Sequence, residues 1–298
     1  MMSNEKNILL PLNFPQTFLP ERRLLAQLLP FAERKGKGNK IFIGAETGIP
    51  TGVSTGKVEP MIYYALAMGL ITASKDAGVW QLDLTPLGNI VLREDPYFSE
   101  HQTIWLVHLM LCRCRPLNGK ADAWYALFTE GRFRLNESFR QDDFFDFLVV
   151  RHGDVGSLKS LSGIAIRTYL EDSCLGRIGV LEQEQKKGDD VLEQKKGEDL
   201  LIRKTAPVTR EFFPVYASYL YLVWDELFYA ENQISLDSFV QESRIFFIMG
   251  WSESMVATWL DWMGDNGIIQ VDRYTGTPML LRLKSTSQVL AATYSELI

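Results

Sequence analysis

The chain has 298 residues, of which 46% are hydrophobic and 23% charged, and its 31 Lys+Arg against 37 Asp+Glu give a formal net charge of −6. This composition is that of a globular protein and excludes a disordered chain, a collagen and a coiled-coil rod. The longest apolar run, near Ile104–Cys112, is far shorter than the ~20 residues of a membrane span, and no signal peptide is visible. Three cysteines without a CxxC motif are typical of a reduced protein, so we expect a cytoplasmic location.

Residues 1–95 predict a domain that resembles a winged helix. A helix begins after Pro20 and ends near Lys35-Gly36, and a loop rich in Gly, Ser and Thr follows at 48–56. A second helix is predicted over 57–70, with Ser54 or Thr55 as its N-cap. A short strand at 79–84 and a helix entered at Thr85-Pro complete the pattern of a recognition helix, a small β-ribbon and a further helix.

Residues 96–230 predict a helical middle domain. Helices are expected at 100–114, 121–128, 141–150, 158–170 and 212–228, most of them rich in apolar and aromatic residues. A direct repeat interrupts this pattern, because Glu184-Gln-Lys-Lys-Gly-Asp189 recurs as Glu193-Gln-Lys-Lys-Gly-Glu198. Such a short charged duplication favours an exposed insertion or hairpin tip over residues 182–199.

Residues 231–298 repeat the opening pattern and predict a second winged-helix-like domain. Helices are expected at 235–242 and 252–263, and strands at 268–272 and 279–283. Helical spacing turns Trp259, Trp262 and Met263 inward and Ser252, Glu253 and Asp261 outward. The outward face lacks Lys and Arg, so we expect it to bind protein rather than DNA. The predicted fold is therefore mainly α with small β-wings, and winged-helix elements near both ends flank the helical middle.

The first 75 residues form a locally basic segment in an acidic chain. They carry nine Lys+Arg and five Glu, which gives a local net charge of +4. The candidate DNA-phosphate contacts are Arg22, Arg23, Lys37, Lys40, Ser54, Thr55 and Lys57. The loop before Lys57 is not a nucleotide-binding P-loop, because Thr51 replaces its first glycine and Val58 follows the lysine. A capped helix with a solvated Lys57 is the alternative interpretation.

The densest acid–histidine grouping lies in the middle domain. Its members are Asp142, Asp143, Asp146, His152 and Asp154. Asp142 and Asp146 are four residues apart on a predicted helix, so both could approach one Mg²⁺ ion as metal ligands, and His152 could transfer a proton. The candidate catalytic residues are thus Asp142, Asp143, Asp146 and His152. The alternative is an amphipathic helix with aromatic residues inward and acids outward, which the sequence favours.

A second candidate metal site involves His108, Cys112 and Cys114. His108 and Cys112 share a helical face, as two ligands would. No further ligand cluster lies nearby in the sequence, so a core histidine beside two buried thiols is the favoured interpretation.

Several blocks of the chain resemble a known family. These are NFPQTFLPERRLLAQLLPFAE, GVSTGKVEPMIYYALAMGLI, LTPLGNIVLREDPYFSEHQTIWLVHLML, AWYALF and, more loosely, LKSLSGIAIRTYLEDSCLGRIGVL. Together they are similar to a bacterial family of unknown function from DNA phosphorothioation and phage-defence operons, over roughly residues 13–230. One member of that family is described as a Mg²⁺-dependent DNA-nicking protein.

The resemblance implies DNA and other proteins of such an operon as partners, and Mg²⁺ as the cofactor of a nicking activity. No membrane partner is expected. The leading hypothesis is a DNA-binding component of a DNA-modification or defence system, with Mg²⁺-dependent nicking as its activity. A non-catalytic DNA-binding adaptor or regulator is the first alternative, and a protein–protein scaffold is the second.

Overall fold

The structure of the protein is a computed structural model that describes residues 8–114, 121–184, 200–229, 231–272 and 276–297. The helices are α1 (Arg22–Glu33), α2 (Lys40–Thr47), α3 (Val58–Ala67), α4 (Pro86–Glu94), α5 (His101–Leu111), α6 (Asp122–Phe128), α7 (Gly131–Arg134), α8 (Gln141–His152), α9 (Leu158–Leu170), α10 (Phe213–Leu227), α11 (Leu236–Ser243), α12 (Ile245–Met249), α13 (Glu253–Asp265) and α14 (Thr286–Ala291). The strands are β1 (Lys37–Gly38), β2 (Ile71–Asp76), β3 (Val79–Leu84), β4 (Ser138–Phe139), β5 (Leu181–Gln183), β6 (Leu201–Arg203), β7 (Gln233–Ser235), β8 (Ile269–Asp272) and β9 (Met279–Arg282). They form three small antiparallel sheets. The prediction of a mainly α fold with small β elements is confirmed.

The first sheet has the strand order β1-β3-β2 and lies beside α1 to α4. Residues Ile71–Asp76 pair with Val79–Leu84, and the hairpin turns at Ala77 and Gly78, whose φ angles are 45° and 82°. Two successive positive φ angles suit the right-handed twist of a two-residue hairpin. Thr85 then begins α4, because its hydroxyl accepts a hydrogen bond from the Gly88 N–H at 2.9 Å.

Two features of this part differ from the sequence prediction. Helix α3 has Lys57 at its N-cap position with no side-chain cap, so the prediction that Ser54 or Thr55 caps it is wrong. Helix α2 was not predicted, although Asn39 begins it by accepting hydrogen bonds from the N–H groups of Ile41 and Phe42. This helix has only eight residues and follows two glycines and an asparagine, which are typical of turns. Its periodic pattern is therefore too weak to predict a helix from the sequence.

The middle of the chain is more than a helical bundle. Helices α5 and α10 are buried along almost their whole length, as their apolar sequences predict. Strands β4, β6 and β5 form a small sheet that the sequence did not predict, because strands of two or three residues show no alternation. The repeat lies outside the described residues beyond Glu184, whose N–H donates to the Leu200 carbonyl at 2.8 Å where β5 and β6 pair.

The last sheet, with strand order β7-β9-β8, has the same arrangement as the first. Trp259 and Met263 of α13 are fully buried and Trp262 is partly buried, while Glu253 and Asp261 are exposed. The predicted inward and outward faces of this helix are therefore confirmed. The Trp259 ring packs against the ring of Trp251 with centroids 5.7 Å apart.

One hydrophobic core runs through the chain from Leu10 to Leu290. Helix α14 contacts both α10 and α4, so the end of the chain packs beside its beginning. The Tyr294 hydroxyl lies 2.7 Å from the Thr103 hydroxyl, and the Thr293 hydroxyl lies 2.7 Å from that of Ser218. All three cysteines are free and buried. Within the described ranges, no helix combines the length and apolar character needed to cross a membrane.

Candidate functional site

A cleft of about 660 Å³ opens along helix α8. Its lining residues are Glu130, Arg134, Leu135, Asn136, Phe139, Asp143, Asp146, Phe147, Val150 and Arg151. The cleft therefore brings three carboxylates and two guanidinium groups to one concave surface. Such a convergence of charged groups is the usual setting of a polar ligand or a hydrolytic reaction.

The acids of α8 take different positions. Asp143 and Asp146 line the cleft, whereas Asp142 does not. One oxygen of Asp143 accepts a hydrogen bond from the Arg140 N–H at 2.7 Å, which stabilises the start of the helix. Phe144 and Leu148 are buried on the opposite side. The amphipathic arrangement that the sequence favoured is thus present, and it presents two of the candidate acids to a cleft.

A hydrogen-bonded network lies at the other end of α8, and its central residue, Asp122, was not among the residues predicted from the sequence. Arg151 donates to both oxygens of Asp122, at 2.6 and 2.9 Å, and also contacts Glu130. The His152 ring nitrogen Nε2 lies 2.7 Å from Asp122. His152 therefore faces the acid at the start of α6. Basic residues in the last turn of a helix are stabilised by its dipole alone, so Arg151 and His152 gave no sequence signal for Asp122.

The charge state of Asp122 follows from this network. Burial raises the pKa of the Asp122 carboxyl, but the hydrogen bonds and positive charge of Arg151, together with His152, outweigh burial and hold the pKa below its ordinary value. Asp122 is therefore a carboxylate at neutral pH. It fixes the side chains of Arg151 and His152 at the end of the cleft.

The carboxylates of α8 do not by themselves fit a magnesium site. Within the part of the chain that the structure describes, no group of three or more His, Cys, Asp or Glu side chains converges as metal ligands would. Mg²⁺ requires near-octahedral oxygen coordination and is commonly held by one or two carboxylates with waters and substrate oxygens. Ligation of a metal by Asp142 and Asp146 stays a prediction.

The exposed side chains around the start of α2 form a second candidate surface. This surface, called the α2 surface below, consists of Lys37, Lys40, Ile41, Phe42, Val53, Ser54 and Thr55, all of which are exposed. Lys40 and the loop residues Thr51–Val53 line one small cavity. The fold thus brings Lys40, predicted as a DNA contact, beside the loop that carries the predicted Ser54 and Thr55.

Two of the predicted DNA contacts have structural partners instead. Arg22 is only 8% exposed and donates to the carbonyls of Phe98 and Asp172, each at 2.7 Å. Burial lowers the pKa of Arg22. Lys57 is partly buried and lies 2.5 Å from Glu21. These two cations stabilise the packing of α1, while Arg23 is exposed on the same helix.

Helix α3, which the sequence predicted as a recognition helix, is buried on nearly every side. Of its ten residues only Glu59 and Tyr63 are partly exposed. Phe14 covers it from outside and packs edge-on against Tyr64 with ring centroids 5.0 Å apart. A helix covered in this way does not enter a major groove.

The His108 cluster belongs to the core. The His108 ring nitrogen Nδ1 lies 2.8 Å from the Tyr169 hydroxyl and 3.6 Å from the Cys112 sulfur. Burial, reinforced by the charge of Arg132, lowers the pKa of His108 to about 3, so the ring is neutral. Cys114 points elsewhere, because its thiol donates to the Glu242 carbonyl at 2.8 Å. The arrangement is that of a core histidine and not of a zinc site.

Comparison with known sequences decides the family. Residues 16–211 match the sequence profile of a family described as protein of unknown function, DUF4007. The chain belongs to the DUF4007 family. The resemblance to a family of unknown function that the sequence blocks indicated is confirmed. No curated protein sequence matches this DUF4007 chain.

Two crystal structures share the fold of this DUF4007 chain. A magnesium-bound structure of SspB superposes with a TM-score of 0.70 at 17% identity, and covers 95% of this chain and 88% of that one. A second SspB structure gives a TM-score of 0.69 at 18% identity with the same coverage. At such identities the similarity shows a common fold.

Proposed function

We propose that this protein is a DNA-binding component of a bacterial DNA phosphorothioation and phage-defence system. Membership of DUF4007 and the fold shared with SspB support this context. The observation that carries DNA binding is the α2 surface, where exposed Lys37 and Lys40 flank the start of a helix. Lysines and helix N-termini attract backbone phosphates without reading bases.

We infer that the two ends of the chain are winged helices. In each, a strand and two or three helices precede a β-hairpin, and the first strand pairs with the last. This order supports the division into an N-terminal unit (1–95), a helical middle (96–230) with the insertion 182–199, and a C-terminal unit (231–298). The N-terminal unit would contact DNA. The acidic outer face of α13 suits a protein partner within the same system.

The DNA-binding proposal is tested by reversing charge on the α2 surface. A Lys37→Glu, Lys40→Glu double variant should bind duplex DNA more weakly, and the slope of log affinity against log salt should fall by about 2. Lys159→Glu, on an exposed position of α9, is the matched control and should bind like the parent. Equal salt slopes for the double variant and the parent, measured by fluorescence anisotropy, would remove the α2 surface from the proposal.

We propose Mg²⁺-dependent nicking at the α8 cleft as the second candidate function. Two observations support it: Asp143 and Asp146 line one cleft with Arg134 and Arg151, and a structure of the same fold is magnesium-bound. The test is relaxation of supercoiled plasmid by the full chain, with Mg²⁺ and with EDTA. Asp146→Asn should slow relaxation, whereas Asp265→Asn, an exposed acid at the end of α13, should not.

The same assay separates the nickase from the adaptor. No Mg²⁺-dependent relaxation by a preparation that binds DNA, even with proteins of its operon present, would support the non-catalytic adaptor. Loss of both DNA binding and relaxation would leave the protein–protein scaffold. Relaxation that Asp146→Asn leaves unchanged would move the chemistry away from the α8 cleft.

A further inference from the structure

A second polar cavity lies between the middle of the chain and the C-terminal unit. Its volume is about 390 Å³, and it is lined by Arg132, Phe133, Glu137, Arg203, Thr205, Phe246, Phe247, Gly250 and Trp251. Helix α7 and strand β6 supply the two arginines, and α12 with the two residues after it supplies much of the aromatic wall. The cavity shares no lining residue with the α8 cleft or the α2 surface.

Arg203 is the most telling residue of this cavity. It is 7% exposed, and its Nη2 donates to the carbonyls of Asn136 at 2.9 Å and Leu135 at 3.4 Å. Its other terminal nitrogen, Nη1, is buried without a hydrogen-bond partner in the described residues. A buried guanidinium N–H without an acceptor is rare in proteins. The Arg203 guanidinium carbon also lies 4.6 Å from the centroid of the Phe139 ring, and no carboxylate in the described residues neutralises its charge.

Arg132 lies beside Arg203 and also has a buried nitrogen without a hydrogen-bond partner in the described residues. Its Nη2 donates to the Ile248 carbonyl at 3.2 Å, while its Nε is buried without a partner in the described residues. Gly250 makes room for this group, because a Cβ there would lie 2.8 Å from both terminal nitrogens of Arg132. The backbone at Gly250 has a φ of +70°, which also favours glycine.

The two guanidinium groups are not paired with a carboxylate in the described residues. Glu137 lines the cavity but lies beyond salt-bridge distance. Burial, followed by the positive charge of Arg132, lowers the pKa of Arg203 to about 10. The buried Arg203 and the partly buried Arg132 repel one another, and such a pair of cations favours an anion between them.

The remaining wall of the cavity is aromatic. The rings of Phe133 and Phe247 pack with centroids 5.2 Å apart, and the rings of Phe246 and Trp251 stack at 6.1 Å. Phe133 is 69% exposed at this position. The exposed ring of Phe133 and the partly exposed ring of Phe247 lie beside the two arginines, and such aromatic faces suit a planar base. The volume is near the lower end of ligand pockets, which run from about 300 Å³ upward, and fits a mononucleotide.

We propose that this cavity is a mononucleotide-binding site, in which Arg132 and Arg203 hold the phosphate and Phe133 and Phe247 contact the base. The site goes beyond the proposed DNA-binding function, because it lies away from the α2 surface and takes a small ligand. Since it joins β6 to α12, the bound nucleotide would stabilise the packing of the C-terminal unit against the middle of the chain.

The experiment uses the full chain with AMP, adenosine and inorganic phosphate as probes, measured by calorimetric titration and thermal unfolding. AMP should bind and raise the melting temperature. Adenosine and phosphate should each bind at least about tenfold more weakly than AMP. Thr205→Glu places a carboxylate at the exposed rim, where the native hydroxyl has one weak contact with the Gly250 carbonyl at 3.5 Å. This variant should remain folded and bind AMP about tenfold more weakly.

Lys204→Gln is the matched control, because Lys204 is adjacent in sequence but pairs with Glu182 at 3.0 Å and does not line the cavity. It should bind AMP like the parent, whereas Phe247→Leu should reduce the preference for AMP over phosphate. The proposal would be overturned if AMP did not bind at AMP concentrations of about 5 mM. It would also be overturned if Thr205→Glu left the affinity for AMP unchanged. A nicked duplex with a 5′-phosphate is the competing ligand. If it binds more tightly than AMP, and if Thr205→Glu weakens that binding, the cavity holds a strand end and the mononucleotide proposal is overturned.

Discussion

At the scale of single residues, burial and hydrogen-bond partners set the charge state of ionisable side chains. Asp122 is held as a carboxylate by Arg151 and His152, whereas His108 is held neutral by burial. Each shift links folding to pH, since a group whose pKa differs between the folded and unfolded chain changes stability as it titrates.

Replacement of Asp122 should reveal the strength of its network. Asp122→Asn removes the charge that Arg151 contacts with two nitrogens, and should lower the free energy of unfolding by about 2 kcal/mol at neutral pH. Because the folded pKa of Asp122 is depressed, this stabilisation is present above its unfolded value near 3.8 and is lost as pH falls below it. Urea unfolding of parent and variant should therefore converge in acid. A gap that stays constant down to about pH 3 would contradict the depressed pKa.

Replacement of His108 should change how the free energy of unfolding depends on pH in mildly acidic solution. An unfolded histidine titrates near 6.5 and His108 near 3, so between these values only the unfolded chain binds the proton. The free energy of unfolding should therefore fall by about 1.4 kcal/mol per pH unit below about pH 6 on account of this residue. His108→Gln can keep a hydrogen bond to Tyr169 and should remove that slope. His101→Gln, at an exposed position, should retain it, and equal slopes in both variants would contradict the prediction.

At the scale of elements, the close approach of α4 to the start of β2 depends on one glycine. A Cβ on Gly88 would lie 1.9 Å from the Leu70 carbonyl oxygen, whereas a Cβ on Gly264 of α13 would meet nothing within 4 Å. The two helical glycines therefore have different reasons for their place in the sequence. The first permits packing, and the second only lowers helix propensity.

Alanine at these two glycines should have opposite effects. Gly88→Ala should lower the free energy of unfolding by about 1–3 kcal/mol, because α4 must shift away from the first sheet. Gly264→Ala should raise the free energy of unfolding by roughly 0.5–1 kcal/mol through helix propensity. Urea unfolding measures both. A destabilisation of similar size in both variants would mean that the contact at Leu70 has no part in the effect.

The burial of α3 also predicts how DNA is read. If the N-terminal unit binds duplexes through the α2 surface alone, affinity should depend on length and salt but vary little with sequence, because base edges are out of reach. Anisotropy titrations with duplexes of equal length and different sequence should agree within about threefold. A preference of about a hundredfold for one sequence would mean that α3 or the β2–β3 hairpin contacts bases.

At the scale of the whole molecule, a continuous core joins units that resemble one another in topology. Helix α14 contacts both α10 and α4, and the hydrogen bond between Thr103 and Tyr294 links residues far apart in sequence. The hydrophobic core therefore continues across the proposed domain boundaries at residues 95 and 231. A variant that damages one end should weaken the other.

Thermal unfolding should accordingly show one cooperative transition. Scanning calorimetry of the full chain should give a calorimetric enthalpy close to the van't Hoff enthalpy, since the core cluster spans both ends. Tyr294→Phe, which removes the hydroxyl facing Thr103, should shift the whole transition to lower temperature. Two resolved transitions, with Tyr294→Phe moving only one, would show that the ends unfold independently.

The sequence by itself determined most of the regular elements and the side chains that fill their cores. Apolar runs and helical spacing located α5, α9, α10 and α13, and the Thr-Pro pair located α4, because these signals are local. The resemblance of its sequence blocks also led to the family. Tertiary structure decided which polar residues meet: it paired His152 with Asp122, buried Arg22, enclosed α3 and brought Arg132 beside Arg203. Such contacts join residues distant in the chain, and periodicity within one element carries no information about them.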